Sequence, residues 1–222
     1  MAAHGHLDAL HLSLWLRGVA MVIDPGTGAY HADKQLRNWL ASASAHNVVV
    51  PILPEGWGWP KRLGPFMWSA MEGAPQFDKQ GSGAVLDMVA RESQVFRSIK
   101  IAAPETSLIV EDDAQYDGSD FEFAVRWQFA PASRVEDLGS RRFRVTRLDV
   151  SMEVQVSADW AEVWCVMEQS QVAKADPDAP LAGTVSPAFR ETVWAPYLKL
   201  VARPQGDKPC VFNTAFLAFN TL

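Results

Sequence analysis

The sequence predicts an all-β fold, a large antiparallel β-sandwich with few short helices. Short runs rich in β-branched and aromatic residues alternate between apolar and polar positions along much of the chain. Turn signals such as Asp117-Gly118-Ser119 separate these runs, and regular short strands between turns are typical of sandwiches and barrels. Only residues 33–43, with Leu36, Trp39 and Leu40 at helical spacing, indicate a helix, and it is short.

The first 50 residues contain three predicted strands. Residues 10–16 alternate and place four leucines on one face: Leu10, Leu12, Leu14 and Leu16. Residues 19–23 form a short apolar run that ends at the turn signal Asp24-Pro25-Gly26. Residues 47–50 are mostly β-branched, and this run stops at Pro51. Histidine or aspartate side chains flank each of these strands.

The remainder of the chain predicts a loop followed by a β meander. Residues 51–82 are rich in Pro, Gly and Trp and indicate a loop, whose Trp57 and Trp59 either pack on the sheet or stack on sugar rings. Residues 174–186 are a second predicted loop, and we favour one domain over residues 1–222. The predicted strands are 84–92, 95–102, 107–112, 121–129, 142–147, 151–156, 162–166, 192–202 and 211–220.

Composition excludes several classes of protein. The 222 residues are 48% hydrophobic and 21% charged, which is ordinary for a globular protein. The net charge of −6 and the scattered basic residues argue against a nucleic-acid partner. The local cluster Arg141, Arg142, Arg144 and Arg147 is interpreted as a solvated strand face.

Targeting signals are also missing from the sequence. No apolar run reaches the roughly 18 residues of a membrane-spanning helix, so no membrane partner is expected. The first residues lack the pattern of a signal peptide. The two cysteines indicate no redox compartment. Because a histidine motif follows Met1 almost directly, we expect the chain to begin at a domain boundary, with part of the function lying upstream.

Histidines and one aspartate form the candidate site. In an extended chain His4, His6 and Asp8 point to the same side, where buried polar groups need a metal ion or a hydrogen-bond network. If the three strands are neighbours, His6 converges with Asp24 and His46. Two imidazoles and a carboxylate suit Zn²⁺ or another divalent ion. On spacing alone, surface or capping histidines remain the alternative.

Four motifs in order resemble the heparinase II/III-like family of polysaccharide lyases. They are His4-Gly5-His6-Leu7-Asp8-Ala9-Leu10, Val22-Ile23-Asp24-Pro25-Gly26-Thr27-Gly28-Ala29-Tyr30, Leu36-Arg37-Asn38 and Ala45-His46-Asn47-Val48-Val49-Val50. Weaker similarity continues through 96–99, 108–112 and 126–129. The segment 51–54 departs from the family's more polar loop, so substrate specificity does not carry over.

The resemblance implies a function for the whole protein. Family members join an N-terminal helical toroid to antiparallel β-sheets and cleave acidic, uronate-containing polysaccharides by β-elimination. This chain resembles the β part alone, with the toroid absent, so we expect an incomplete active site. A periplasmic or secreted location is expected from the family. The alternatives are a non-catalytic carbohydrate-binding domain and a structural domain.

The resemblance also implies residue roles. His4 matches the cleft histidine, which assists as a base or by neutralising charge. His6, Asp24 and His46 match positions that hold a structural zinc. Arg37 binds a substrate carboxylate or sulfate bidentately, or forms a structural salt bridge. Substrate binding is also assigned to Tyr30, for which packing is the alternative, and to Trp57 and Trp59.

Overall fold

A computed structural model describes most of the chain. The described residues are 5–28, 33–52, 62–64, 67–68, 76–80, 83–90, 93–102, 107–116, 122–158, 161–177, 179–204 and 208–218.

The described elements are eighteen strands and four short helical segments. The strands are β1 (Leu14–Leu16), β2 (Val19–Val22), β3 (Val49–Ile52), β4 (Arg62–Gly64), β5 (Met67–Trp68), β6 (Gln76–Gln80), β7 (Gly83–Ala90), β8 (Ser93–Ala102), β9 (Ser107–Tyr116), β10 (Glu122–Gln128), β11 (Arg134–Gly139), β12 (Arg142–Arg147), β13 (Val150–Ala158), β14 (Glu162–Val166), β15 (Thr184–Val185), β16 (Val193–Trp194), β17 (Tyr197–Ala202) and β18 (Cys210–Ala218). The helices are α1 (Lys34–Leu40), α2 (Val172–Ala175) and 3₁₀ turns at Ala43–Ala45 and Gln169–Gln171.

Two antiparallel sheets form the layers of a sandwich. The larger has the order β11-β12-β13-β18-β9-β8-β7-β6, and the smaller has the order β14-β17-β10-β3. Three two-stranded sheets, β1-β2, β4-β5 and β15-β16, accompany them. The observed all-β sandwich confirms the predicted fold class.

The core lies between the two large sheets. Alternate residues of β10, Phe123, Val125 and Trp127, are fully buried in one cluster with Phe212 and Phe216 of β18. Trp127 meets Phe216 edge to face, with ring centroids 5.0 Å apart. The indole N–H of Trp127 donates to Thr214 Oγ1 at 3.0 Å, which satisfies its polar atom inside the core.

The opposite face of the smaller sheet is also covered. A second apolar cluster joins Tyr197 of β17 to Val172 and Ala175 of α2, with Trp39 of α1 packed against it. Since period-2 alternation sends successive side chains to opposite faces, Tyr197 and Lys199 lie on this outer face, whereas Leu198 belongs to the core. The outer face therefore lies beneath short helices and loops.

Several element boundaries differ from the sequence prediction. The predicted helix at 33–43 is α1, whose N-cap Asp33 accepts hydrogen bonds from two backbone amides, followed by a 3₁₀ turn. The predicted strand 192–202 is two strands in different sheets, broken at Pro196, which has no N–H to donate. The predicted loops contain short elements, namely β4, β5 and β6 within 51–82 and β15 within 174–186. No helix of the described part is long and apolar enough to cross a membrane.

Candidate metal centre

Three separate segments bring the candidate ligands together. Asp24 follows β2, and the Ile23 amide donates to the Gln128 carbonyl at 3.0 Å, which ties this segment to the end of β10. His46 ends the 3₁₀ turn that precedes β3. The N-terminal segment carries His6, and the Leu7 amide anchors it to the carbonyl of Ala41 at 3.0 Å.

His6, Asp24 and His46 form one compact group, as the sequence predicts. Each offers a ligand atom, and these atoms all lie within 4.8 Å of one another. His46 Nδ1 lies 3.1 Å from Asp24 Oδ2, and the rings of His6 and His46 are 5.3 Å apart. His46 is fully buried, His6 is partly buried, and the side chain of Asp24 is 42% exposed. The group therefore faces solvent through Asp24.

Arg37 lies against this group. It is 3% exposed, and its Nη1 donates to His6 Nε2 at 2.8 Å. Nε2 accepts this bond with its lone pair, so the proton of a neutral His6 resides on Nδ1. Coordination of a metal by either ring nitrogen would remove that acceptor, because the other nitrogen would then carry the proton. Arg37 and a metal ion therefore compete for His6.

His11 is a partly buried neighbour of the group. The Asn47 amide donates to His11 Nδ1 at 3.1 Å, so Nε2 carries the proton and donates to Ser13 Oγ at 2.9 Å. His11 Nε2 also lies 3.8 Å from Asp24 Oδ2. His11 is thus a polar side chain whose two ring nitrogens both have hydrogen-bond partners.

The electrostatics of the group favour a neutral His6, a neutral His11 and an ionised Asp24. Burial lowers the pKa of His11 to about 4. Burial, helped by the neighbouring His46 and Arg37, also lowers the pKa of His6. For Asp24, burial would raise the pKa, but the hydrogen bonds from His46 and the Gly26 amide lower it to about 2. Neutral imidazoles and a carboxylate are the protonation states that bind metal ions.

Asn47 connects the three ligand-bearing segments, and sequence reasoning did not single it out. It is fully buried, and its Nδ2 donates to the carbonyls of Leu12 at 2.9 Å and Ile23 at 3.0 Å. Its Oδ1 accepts the amide of Gln128 at 2.7 Å. The available sequence signal was a side-chain amide, Asn47, at the start of a run of valines that is expected to be buried. A buried amide must find partners for its donors and its acceptor, so Asn47 was a candidate for a structural link.

An ion pair inside the sandwich supports Asn47 from the other side. Arg97 and Asp112 are both fully buried and form a bidentate pair, at 2.5 Å and 2.8 Å. Arg97 Nη1 also donates to the carbonyls of Asn47 at 2.5 Å and Leu10 at 2.7 Å. The large sheet thereby holds the N-terminal segment and the residue after His46.

The donor set fits a zinc ion. Two imidazoles and one carboxylate, with a fourth position open to water, are a common zinc ligand set. His46 Nε2 is buried and has no hydrogen-bond partner in the described part of the chain, and such an orphaned polar atom calls for an explanation. His6, Asp24 and His46 are the residues that would hold the metal.

The other predicted site residues cannot be placed. His4, Tyr30, Trp57 and Trp59 lie outside the described residues. The roles assigned to these four side chains therefore stay predictions.

Comparison with known proteins places the fold in one family. The family model described as heparinase II/III-like, C-terminal, matches residues 1–196. No curated protein sequence matches the chain.

Solved structures of lyases share the fold. A mutant of the heparan sulfate lyase HepC from Pedobacter heparinus superposes with a TM-score of 0.69 at 16% identity, over 94% of this chain and 30% of that one. A heparinase III with methylated lysines gives 0.71 at 14% identity, over 97% and 30% of the two chains. Another heparinase III structure superposes with a TM-score of 0.67 at 13% identity, over 95% of this chain and 29% of that one. At these identities the likeness shows the fold alone, and the chain spans about 30% of the length of these proteins.

Proposed function

The chain belongs to the heparinase II/III-like C-terminal family, and we propose that it is the β-sandwich portion of a polysaccharide lyase acting on a uronate-containing glycan. The observation that carries this proposal is the grouping of His6, Asp24 and His46 within 4.8 Å, at the place where the family motifs of the sequence meet. A fold likeness alone would not support a function.

β-Elimination defines what the residues of such a site have to do. The proton at C5 of the uronate becomes acidic once the adjacent carboxylate is neutralised, a base removes it, and the leaving O4 takes a proton from an acid. We assign His4 to the base or to charge neutralisation. Arg37, now bonded to His6, is the proposed partner of a substrate carboxylate or sulfate. Tyr30, Trp57 and Trp59 are proposed to bind the sugar.

The group of His6, Asp24 and His46, called the metal group below, is proposed to have a structural role. A bound zinc would supply a cross-link between three segments of the chain and would contribute its binding free energy to folding. His6, held in this way, would anchor the N-terminal segment, and His4 lies two positions earlier in the sequence. Asp24 and His46 orient the other two segments. The proton transfers themselves are left to side chains outside the group.

An upstream helical domain is the proposed partner of this chain. The structurally similar lyases are about three times as long as the part that matches, and β-elimination needs an acid and a base that the described residues do not bring together. We expect residues 1–222 alone to show little or no formation of unsaturated uronate, followed by absorbance on heparin, heparan sulfate and alginate. Robust turnover by this chain alone would contradict the assignment of an incomplete site.

Zinc content tests the metal group directly. Elemental analysis of the purified chain should give one equivalent of zinc, which is lost in His46→Ala. His11→Gln is the matched control, since it removes a neighbouring imidazole that lies outside the group, and it should retain the metal. Absence of zinc under every loading condition would contradict the assignment of a metal site and favour a carbohydrate-binding or structural domain.

A further inference from the structure

We propose that a cleft on the outer face of the smaller sheet binds an acidic sugar, a pyranose ring that carries a carboxylate. The cleft has a volume of about 500 Å³ and lies between α1, residues 176–177 and 179–181, and the strands β3, β10 and β17. Small-molecule sites commonly have volumes of about 300–1,000 Å³. The choice of a sugar rests on the proposed function, whereas the choice of an anion rests on the charges of the cleft.

The described lining of the cleft carries an excess positive charge. Its charged residues are Arg126, Lys199 and Asp176, whose side chains are 8%, 15% and 4% exposed. Asp176 already accepts from Arg126 Nη2 at 2.9 Å and from Lys199 Nζ at 2.6 Å, and the Tyr197 hydroxyl donates to its other oxygen at 2.5 Å. One carboxylate balances one of the two cations. A ligand anion would offset the second, whose burial is otherwise costly.

Lys199 is the side chain that would meet the anion. An ammonium group has three N–H donors, and within the described part of the chain Lys199 uses two of them, for Asp176 and for the carbonyl of Ala175 at 3.0 Å. Arg126 is held more firmly, because its guanidinium lies 5.2 Å from the Trp39 ring centroid and 4.9 Å from that of Tyr197. Arg126 thus sets the charge of the cleft, and Lys199 has a donor left for a carboxylate.

The walls of the cleft combine apolar and hydrogen-bonding surfaces, as a sugar ring requires. Trp39, Pro180 and Leu181 supply apolar surface, and the exposed amides of Gln35 and Asn38 lie at the rim. The indole N–H of Trp39 has no acceptor among the described residues. Apolar walls with a few polar groups suit a ligand that has both C–H faces and hydroxyls.

The cleft is distinct from the metal group, although the two are adjacent. His46 borders both, whereas His6 and Asp24 do not line the cleft. Binding in the cleft is therefore expected to need no metal. This separation allows the cleft and the proposed lyase site to be tested independently.

An NMR titration of the ¹⁵N-labelled chain tests the proposal. Sodium D-glucuronate should shift the side-chain amides of Gln35 and Asn38 and the indole N–H of Trp39. D-Glucose, the neutral matched sugar, should bind at least tenfold more weakly, and sodium sulfate should reproduce only the effects that lie near Lys199. The same shifts should appear with and without a zinc chelator.

Variants make the test specific. Lys199→Gln should weaken glucuronate binding at least tenfold, and it leaves Arg126 and Asp176 as a balanced pair, so the fold is expected to survive. Lys174→Gln is the matched control, because it removes a cation that does not line the cleft, and it should bind as the parent does. Asn38→Ala, at an exposed position, should weaken binding without affecting folding.

Each outcome decides between the two proposals. Equal binding of glucuronate and glucose, or unchanged binding in both Lys199→Gln and Asn38→Ala, would overturn the acidic-sugar site. Shifts confined to the surroundings of His6 and Asp24 would also overturn it. Glucuronate binding by a chain that takes up no zinc would support the acidic-sugar site and contradict the zinc site. Zinc uptake without glucuronate binding would support the zinc site and contradict the acidic-sugar site.

Discussion

Asn47→Ala is expected to destabilise the protein strongly and to loosen the candidate metal centre. The amide of Asn47 makes three buried hydrogen bonds, to the carbonyls of Leu12 and Ile23 and from the backbone N–H of Gln128. Alanine would leave all three backbone groups without these partners. A buried polar group left unsatisfied costs about 1–3 kcal/mol. With partial relief by water entering the space, we expect the free energy of unfolding to fall by about 4 kcal/mol.

Urea unfolding followed by tryptophan fluorescence measures this loss. Asn38→Ala is the matched control, because it makes the same chemical change at an exposed amide of α1, and it should change stability by less than about 0.5 kcal/mol. Zinc affinity, measured by competition with a chromophoric chelator, should fall in Asn47→Ala and remain unchanged in Asn38→Ala. A destabilisation of Asn47→Ala below about 1 kcal/mol would refute the assignment of Asn47 as the link between the three segments.

Three further predictions concern the surroundings of the metal group. Arg37→Met should raise zinc affinity about tenfold, because His6 must give up its hydrogen bond from Arg37 to bind metal, and a hydrogen bond to a charged group is worth about 1.5 kcal/mol. Titration against a chromophoric chelator measures the zinc affinity. Weaker zinc binding by Arg37→Met would contradict the view that Arg37 and the metal compete for His6. His11 has a folded pKa of about 4 against an ordinary 6.5, so the unfolded chain binds the extra proton; stability of the metal-free protein should fall by about 3 kcal/mol as the pH drops from 7 to 4. Chemical unfolding between pH 7 and 4 should show that the free energy of unfolding depends less on pH in His11→Gln than in the parent. An identical pH dependence would rule out His11 as the cause. Gly26→Ala should lower the melting temperature, because Gly26 has φ +81° and a Cβ there would collide with the Ser186 backbone; an unchanged temperature would show that this turn relaxes freely.

The fold class and the chemistry of the metal group follow from local features of the sequence. Strand alternation is a property of successive residues, so most strands of the meander were predicted within a few positions of their observed bounds. Residue type alone determines that His6, Asp24 and His46 can donate to a metal. The prediction of one continuous strand over residues 192–202 was wrong, although Pro196 was visible, because apolar residues continue on both sides of Pro196.

The partners of the site residues are decided by the tertiary structure alone. Arg37 meets His6 across 31 positions, Arg97 meets Leu10 across 87, and Asn47 meets Gln128 across 81. Strand order determines such contacts, and alternation does not specify which strands become neighbours.

For the cleft too, the sequence determines part of the arrangement and the tertiary structure decides the rest. The sequence alone shows that Arg126 and Lys199 are cations in strands, and by their alternation which face each occupies. It does not show that β10 and β17 pair with Arg126 directly opposite Lys199, or that Asp176 lies over both. The sequence by itself determined which side chains are available for metal and substrate chemistry. The packing of distant segments decided which of them are buried, charged and paired, because burial and partner choice depend on neighbours that local sequence does not name.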